Sequence, residues 1–479
     1  MDEKYDVIVA GAGVAGALAA ASASQNGAKT LLLDRNEESS VGKKTNWGWV
    51  CGDAVAQDHI TFAEHELHTS FGKPELNLKV DGVYVVSPSM KKKVKFEGAG
   101  YSLDRPSFAR KLLSIAKKSG VEYMPGMEVE GPIIENGEIK GVFGKDASKR
   151  DFRVKAKIVI DSLGMASTIR RKLPENKFIE RNVDIHDIES TGRYILDFEQ
   201  NGENEYYYDP KNAIIHLNQT MAPGGYGWVF PKEGKVVNVG IGVEKASLEI
   251  RNSKLGKKDT LHSLIDQYVE WNPLLKDTKI NSKDANGKGY WSVSVKRQQD
   301  SLVYKNYMGA GDSMSMPNPI SAGGIGPAMT SGILAGKVAA EAVAKNDTSI
   351  EMLWKYNILY NEKYGKKTAS LEAFRIYLQS LNNELIDYGI EHFLTDEEAI
   401  QMSYGITPEL SFASALKKAI SGIANINAFK NLIFVVGKMK NLNKLYENYP
   451  KTPNEFDAWQ KLVRNEIKEV KERFAPNPV

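Results

Sequence analysis

The first 35 residues alternate short apolar runs with a longer run of small side chains. Residues 5–10 and 29–34 have the length and apolar character of buried strands. Between them, residues 14–26 are rich in alanine, which is typical of a closely packed helix. A strand, a helix and a second strand in this order predict a βαβ unit with parallel strands, so the chain is expected to open with a Rossmann-like domain.

Residues 76–98 alternate polar and apolar positions around the turn SPSM, which predicts an antiparallel hairpin. A helical pattern follows, with Asp104 as its expected N-cap and Gly120 as its stop. Between about 180 and 290 the pattern is strand-rich and aromatic. We assign this region, including the segment EYYYDPKNAIIHL, to a separate sheet.

Toward the C-terminus, a buried strand in SLVYKNYMGAGDS ends in a turn and leads to a small-residue helix from Gly326 to about Ala344. Charged helical segments dominate from about residue 350 to the end. The most apolar of them, NLIFVVGKMKN, fits either burial in the domain or an amphipathic helix on a membrane surface.

Composition narrows the class of protein. The 479 residues hold 63 Lys and Arg against 60 Asp and Glu, so no nucleic-acid partner is indicated. The single cysteine excludes an intramolecular disulfide and fits a reducing compartment, and the seven histidines lack zinc-site spacing, so no metal centre is expected. No apolar run approaches the roughly 20 residues of a membrane span, which predicts a cytoplasmic protein with at most peripheral membrane contact.

Three glycines mark the turn between the first strand and the first helix. Gly11, Gly13 and Gly16 match G-x-G-x-x-G, the pattern of a backbone turn that cradles a pyrophosphate at a helix N-terminus. Asp34 ends the next strand, where a carboxylate accepts hydrogen bonds from a ribose diol. FAD and NAD both fit these residues.

A second glycine-rich loop, MGAGDSMSMPNPISAGGIGPAM, follows a strand about 300 residues later. Asp312 in this loop is suited to a ribityl chain, and the N-terminus of the following helix is suited to the electron-poor end of a flavin. A site divided between two such distant segments favours FAD over NAD as the cofactor.

The predicted fold class is therefore α/β (α+β), with three units. They are a discontinuous Rossmann-like FAD-binding domain (1–75, 100–175 and 290–345), an interleaved antiparallel-sheet substrate domain (76–99 and 176–289), and a C-terminal helical region (346–479).

Several motifs together resemble a known family. LDRPSFARKLL, VIDSLGMASTIR and MGAGDS are similar to flavoproteins related to para-hydroxybenzoate hydroxylase. Within that group, CGDAV, PGGYGWVFPKEGKVVNVGIG and NPISAGGIGPAMTSG resemble the geranylgeranyl reductases, especially the archaeal ones. The resemblance spans residues 4 to about 375 and implies bound FAD and reduction of isolated C=C bonds in isoprenoid chains of membrane lipids or their precursors.

The resemblance also implies positions that contact FAD. By this resemblance, Ala15 and Asp34 contact the adenosine half of FAD, and Arg105 and the backbone of Val129 make further contacts with FAD. Cys51, Gly52 and Ala54 correspond to a loop that passes beside the flavin. Asp312, Gly324 and Ile325 correspond to residues on the opposite side of the flavin.

Alkene reduction needs a hydride from reduced flavin N5 and a proton, and Cys51 is the candidate for proton delivery or flavin tuning. Tyr226, Trp228 and Phe230 alternate on a predicted strand, and Tyr206, Tyr207 and Tyr208 lie nearby in sequence. These aromatic side chains fit either the lining of a prenyl-chain tunnel or an ordinary sheet core. Candidate partners for a lipid phosphate are Lys43, Lys44, Lys366 and Lys367.

The expected substrate is a prenylated lipid or prenyl diphosphate, with polyprenols and quinone side chains as alternatives. The electron donor is open between a ferredoxin-like carrier and NAD(P)H, because a second dinucleotide motif is lacking. Two other functions remain on the same fold. One is an FAD-dependent aromatic hydroxylase, and the other is a non-catalytic flavin or lipid carrier.

Overall fold

The computed structural model describes residues 5–41, 51–199, 204–281, 287–392 and 426–478. Its strands are β1 (Tyr5–Ala10), β2 (Thr30–Leu33), β3 (Ala54–Ala56), β4 (Leu76–Val86), β5 (Lys93–Leu103), β6 (Glu122–Met124), β7 (Glu128–Glu135), β8 (Glu138–Lys145), β9 (Asp151–Asp161), β10 (Ile188–Asp197), β11 (Asn212–His216), β12 (Gly227–Pro231), β13 (Val236–Glu244), β14 (Lys279–Ile280), β15 (Lys288–Ser294), β16 (Val303–Tyr304) and β17 (Tyr307–Gly309).

The α-helices are α1 (Val14–Gln25), α2 (Gln57–Leu67), α3 (Arg105–Lys118), α4 (Thr168–Arg171), α5 (Lys245–Leu255), α6 (Leu261–Trp271), α7 (Ile325–Ala344), α8 (Ile350–Tyr360), α9 (Lys366–Gln379), α10 (Asn383–His392), α11 (Ile426–Glu447) and α12 (Phe456–Arg473). A π-helical turn, Asn361–Gly365, joins α8 to α9.

The first sheet is built on parallel strands in the order β6, β2, β1, β9, β17. β16 pairs antiparallel with β17, and β7, β8 and β9 form an antiparallel meander along one side. β1 and β2 are almost entirely buried, as the apolar sequence of each strand requires. The carboxyl ends of β1, β2, β9 and β17 therefore meet at one edge, where ligands bind in open α/β sheets.

Two small-residue helices cover this sheet in direct contact with each other. Side chains at Gly332 and Gly336 of α7 would overlap the carbonyl oxygens of Ala15 and Ala19 in α1. Nine consecutive residues of α1, 15–23, are buried. The alanine and glycine content of both helices is thus explained by close backbone approach, which larger side chains would prevent.

The second sheet has the order β14, β10, β13, β12, β11, β4, β5, β3, with β15 also paired to β10. One face packs on α6, and its core includes Ile214, Val229 and Val239. Because side chains alternate along a strand, the neighbouring positions point to the opposite face. That face carries a separate apolar cluster around Trp228 and Phe230, and it faces the loop that contains Cys51.

Local predictions are largely confirmed. β1, α1 and β2 lie within a residue of the predicted bounds, and β4 and β5 form the predicted antiparallel hairpin, which extends to Leu103. The Asp104 side chain caps α3 by accepting a hydrogen bond from the Ser107 N–H at 2.8 Å. Gly120 follows α3 with φ +86°.

The segment from about 180 to 290 was predicted less well. It contains two helices, α5 and α6, in addition to strands. Tyr206–Tyr208 lie in a turn rather than in a strand, and β11 begins only at Asn212. Each helix has only 11 residues, so its periodic pattern is short and was masked by the β-branched and aromatic residues on both sides.

The apolar C-terminal segment is a helix packed on protein. In α11, Val435, Met439 and Leu442 are buried in the main core, whereas Ile433 is exposed. Within the described ranges, none of the helices combines the length and apolarity needed to cross a bilayer.

Packing between α1 and α7 makes a testable prediction about stability. Gly336→Ala should destabilise the protein by about 1–3 kcal/mol, because the overpacked interface outweighs the helix propensity of alanine. Gly437 in α11 is a matched control, since a Cβ there would meet nothing within 4 Å. Gly437→Ala should stabilise the protein by up to about 1 kcal/mol. Urea unfolding followed by circular dichroism measures both changes, and equal effects of the two substitutions would contradict the packing argument.

Candidate functional site

The turn between β1 and α1 has the geometry expected of a phosphate cradle. Gly11 adopts φ +97°, which favours glycine, and a side chain at Gly16 would collide with the Gly11 carbonyl and the Ser162 hydroxyl. A Cβ at Gly13 would meet nothing within 4 Å and would project into open space. α1 also lacks a side-chain N-cap, so its first N–H groups are available to an anion.

Asp34 lies beside this turn. Its carboxylate accepts hydrogen bonds of 2.7 Å from the backbone N–H groups of Ala12 and Asn36. These two bonds use only part of the acceptor capacity of a carboxylate and fix its orientation at the carboxyl end of β2. The remaining lone pairs can accept bonds from a ribose diol.

The second glycine-rich loop meets the first one. Gly311, with φ +68°, lies so close to α1 that a Cβ there would be 3.0 Å from the Ala15 Cβ. Asp312 follows in a short 3-10 turn, and a Cβ at Gly324 would lie 3.4 Å from the Asp312 Oδ1. Burial raises the pKa of Asp312 to about 6, while the charge of Arg105 opposes the rise. Segments 300 residues apart thus form one surface.

A buried polar cluster holds these two loops together. The Asp161 carboxylate, at the end of β9, accepts hydrogen bonds from Ser167 at 2.5 Å and Tyr307 at 2.9 Å. The Ser313 hydroxyl donates to the Asp161 carbonyl at 2.7 Å, and Arg170 donates to the Ser313 carbonyl at 2.5 Å. The motif VIDSLGMASTIR therefore positions the loop of Asp312 by hydrogen bonds to its backbone and to Ser313.

Three further residues predicted to contact FAD lie at or near the starts of three different elements, α3, β7 and α7. Arg105 is the first residue of α3, is 8 % exposed, and places its Nε 3.6 Å from Asp53 Oδ1. Val129 is buried at the start of β7, where its carbonyl accepts a bond of 2.7 Å from Thr168. Ile325 opens α7, whose N-cap residue Gly324 has no side-chain cap.

Cys51 and Gly52 lie against the second sheet, and Ala54 begins its edge strand β3, so that all three residues surround the buried carboxylate of Asp53. The Cys51 thiol donates to Asp53 Oδ1 at 3.2 Å. Asn238 of β13 donates to Asp53 Oδ2 at 2.8 Å and to the Cys51 carbonyl at 3.0 Å. Lys232 forms an ion pair with Asp53 at 3.3 Å and donates to the Leu103 carbonyl at 2.6 Å. We call Cys51, Asp53, Lys232 and Asn238 the junction cluster.

The junction cluster keeps Cys51 protonated. Burial, together with the negative charge of Asp53, raises the pKa of the Cys51 thiol to about 11. The thiol is therefore neutral throughout the physiological range.

Three of the predicted substrate aromatics, Tyr226, Trp228 and Phe230, lie at this site. Trp228 donates to the Asn238 side chain at 3.0 Å, and a Cβ at Gly52 would lie 2.6 Å from the Phe230 ring. The Tyr226 hydroxyl donates to the carbonyl of Ser321, in the loop before α7. Tyr226, Trp228 and Phe230 thus form an apolar wall between the junction cluster and the second glycine-rich loop.

Other predicted residues lie elsewhere. Tyr206 packs with the core on the opposite face of the second sheet, and its carbonyl accepts a bond of 2.7 Å from His216. Lys366 is exposed and ion-paired with Glu447 of α11. Lys367 is half-buried, and burial lowers the pKa of its ammonium group. Lys43 and Lys44 lie outside the described residues.

Sequence reasoning missed Asp53, Lys232 and Asn238. Asp53 lies inside the quoted motif CGDAV, and Lys232 and Asn238 lie inside PGGYGWVFPKEGKVVNVGIG, yet no spacing rule links position 53 to positions 232 and 238. The available signal was local. Asp53, with φ +63°, directly precedes a short strand, and Asn238 is a polar residue within the apolar run Val236–Val243 of β13.

The described residues fit FAD. The open space at Gly13 and the uncapped start of α1 suit a pyrophosphate. Asp34 suits the ribose, and the partly exposed Asp312 beside the uncapped start of α7 suits the ribityl chain and the pyrimidine end of the flavin.

Comparisons with known proteins agree with this geometry. Residues 6–170 match the family model of FAD dependent oxidoreductases, and residues 187–282 match that of the geranylgeranyl reductase catalytic domain. The digeranylgeranylglycerophospholipid reductase of Sulfolobus acidocaldarius is 31 % identical over 470 residues, or 97 % of this chain and 98 % of the relative. A reductase of the same name from Methanococcoides burtonii is 29 % identical over 86 % of this chain and 90 % of its own length.

Solved structures show the same architecture. A geranylgeranyl bacteriochlorophyll reductase-like protein from Thermoplasma acidophilum superposes with a TM-score of 0.68 at 25 % identity, over 90 % of this chain and 99 % of that protein. A flavin-dependent brominase shares the fold, with a TM-score of 0.64 at 17 % identity over 88 % of this chain and 99 % of its own. With two distant glycine-rich loops joined in one surface, an apolar wall beside them and relatives that match almost end to end, the chain belongs to the geranylgeranyl reductase family of FAD-dependent oxidoreductases.

Proposed function

We propose that the protein saturates the isolated C=C bonds of geranylgeranyl chains in membrane lipids or their precursors, as the names of its relatives describe for them. The observation that carries the proposal is the position of the apolar wall. Trp228 and Phe230 lie directly against the Cys51–Ala54 loop, and Tyr226 bonds to the loop before α7. An apolar chain lying on this wall is adjacent to the residues that fit the flavin.

When bound in its reduced form, FAD supplies a hydride from N5. The protein's own residues hold the reactants together and exclude water, which an unpolarised alkene requires. Trp228 is 5 % exposed and Asn238 is fully buried, so the part of the site that these two side chains form is shielded from solvent. Asn238 fixes the orientation of both Trp228 and the Cys51 loop through its three hydrogen bonds.

Cys51 acts in this proposal as a neutral thiol that tunes the flavin. A proton donor must leave its conjugate base behind, and the thiolate of Cys51 would be buried beside the carboxylate of Asp53, a cost that the nearby charge of Arg105 offsets only in part. This cost is the reason why the pKa of the Cys51 thiol is raised. Proton delivery is accordingly assigned to another group.

The substrate implies a membrane partner. The proposal therefore includes a peripheral location at the inner, cytoplasmic face of the membrane, where lipid substrates are reached. It also includes a reduced electron carrier, with a ferredoxin-like protein and NAD(P)H as the two donors to be compared.

FAD binding provides a first prediction. Asp34→Asn should weaken FAD binding at least about 10-fold, because a hydrogen bond to a charged acceptor is lost. Titration of the FAD-free protein with FAD, followed by flavin fluorescence, measures the affinity. Glu38→Gln is the control, since this exposed carboxylate pairs with Lys117 at 2.6 Å and should not affect the affinity. Unchanged binding by Asp34→Asn would contradict the assigned ribose contact.

Cys51 provides a second prediction, and its being the only cysteine makes the measurement specific. With a pKa of about 11, alkylation by iodoacetamide at pH 9 should be about 100-fold slower than for an ionised thiol. Asp53→Asn should accelerate alkylation, because removing the charge lowers the pKa of Cys51. Asp58→Asn, at an exposed carboxylate, serves as the control. Equal alkylation rates for the two variants would refute the role of Asp53.

The proposed reaction is tested anaerobically. Protein reduced with dithionite and mixed with geranylgeranylated glycerophospholipid should yield products heavier by two hydrogens per double bond, detected by mass spectrometry. Because dithionite reduces the flavin chemically, this assay does not require the natural electron donor. A product that gains oxygen, and forms only in air, would identify a hydroxylase instead. Lipid that binds but leaves the reduced flavin unoxidised would identify a carrier.

A further inference from the structure

A buried carboxyl group lies on the same sheet face as the apolar wall. Glu189 is on β10 and is 4 % exposed. In the register of the sheet, Thr191 pairs with Gly242 and Arg193 with Gly240, so the Glu189 side chain projects on the face that also carries Asn238 and Trp228. The mechanism above makes no use of this group.

The space for the Glu189 carboxyl group is provided by a glycine. A Cβ at Gly242 would lie 3.1 Å from Glu189 Oε2, so the carboxyl group extends over the bare backbone of β13. The N–H of Gly242 donates to the carbonyl of Tyr226 at 2.9 Å. Tyr226, which directly precedes β12, therefore lies beside Gly242 of β13. Glu189 and Tyr226 are therefore neighbours across Gly242, and the Tyr226 hydroxyl contacts the loop before α7.

The charged groups around Glu189 are engaged with other partners. Glu244, directly opposite on β13, caps α5 by accepting bonds from the N–H groups of Ala246 at 3.1 Å and Ser247 at 2.6 Å. The guanidinium of Arg375, from α9, bonds to Asp187 at 2.5 Å and to the His186 carbonyl and Gln379. Within the part of the chain that the structure describes, the Glu189 carboxyl group itself makes no hydrogen bond or ion pair.

These surroundings favour the neutral acid. Two carboxyl groups paired across neighbouring strands have Cβ atoms about 5 Å apart, so simultaneous ionisation is unfavourable. Glu244 has the backbone N–H donors and the helix N-terminus that stabilise a carboxylate, and Glu189 has neither. Burial raises the pKa of Glu189 to about 8, assisted by Glu244 and opposed by Arg375.

We propose that Glu189 is the catalytic acid that protonates the substrate alkene. This inference rests on the proposed function. In the step, the C=C π bond breaks and two C–H bonds form. One alkene carbon receives the hydride, with both electrons, from reduced flavin. The other alkene carbon receives the proton of the Glu189 carboxyl group. Glu189 is left as a carboxylate and regains a proton from water before the next double bond is reduced.

The assignment agrees with the chemistry of the site. An isolated alkene is a weak base, so its protonation needs a donor held in a dry place and present as the acid at neutral pH. A carboxyl group without internal partners keeps its proton available, whereas the Cys51 thiol donates its hydrogen to Asp53. The rate of alkene reduction should accordingly fall as the pH rises through about 8, where Glu189 ionises.

Glu189→Gln tests the proposal, because the amide matches the neutral acid in shape and removes only the proton. Alkene reduction by the dithionite-reduced holoenzyme should fall about 100-fold or more, while FAD content and lipid binding stay unchanged. Glu189→Asp should restore part of the rate. Glu249→Gln is the control, an exposed carboxylate on α5 that should keep the full rate and pH profile.

A second readout is independent of turnover. Infrared difference spectra of the FAD-loaded protein, recorded between acidic and alkaline pH, should show a protonated carboxyl band that titrates near pH 8. The band should disappear in Glu189→Gln and persist in Glu249→Gln. Wild-type activity with Glu189→Gln, or a missing band in the wild type, would overturn the assignment. Failure of the wild-type protein to reduce any prenyl lipid would instead overturn the proposed function.

Discussion

The buried carboxylate of Asp53 is the interaction on which the arrangement of the site depends. It joins the Cys51–Ala54 loop to the β12–β13 hairpin of the second sheet through Lys232, which directly follows β12, and Asn238 of β13. Removing either charge of such a pair strands the other in a medium that cannot solvate it, at a cost of about 3–5 kcal/mol. The apolar wall and the flavin-side loop are consequently held in one relative position, which a reaction between two separately bound molecules requires.

Much of the cofactor half could be predicted from the sequence, because its elements are specified locally. Glycine spacing, a strand before it and an acid after it are sufficient to define the β1–α1–β2 unit and Asp34. The distant loop of Asp312 was also recognisable, since it repeats the same strand-to-turn signal. That the two loops meet follows from the parallel order of β1, β9 and β17, which brings their carboxyl ends together.

The contacts between the second sheet and the Cys51–Ala54 loop were harder to predict, because they join residues that are distant in sequence. Lys232 and Asn238 belong to the β12–β13 hairpin, whereas Asp53 lies in a distant segment, and only the folded structure shows that the three side chains meet. The same holds for Glu189, whose environment depends on a glycine in another strand. Tyr206 illustrates the reverse error, because an aromatic residue close in sequence to the wall belongs to the opposite face.

The contact between α1 and α7 has a consequence for biosynthesis. α1 ends at Gln25, but α7, the helix that covers it, begins 300 residues later and ends at Ala344. Domains generally fold as units during translation, so the opening βαβ unit must wait, with its alanine face uncovered, until most of the polypeptide has left the ribosome. Most strands of the second sheet lie between these two helices in sequence, so this sheet can assemble before α7 is available to pack on α1.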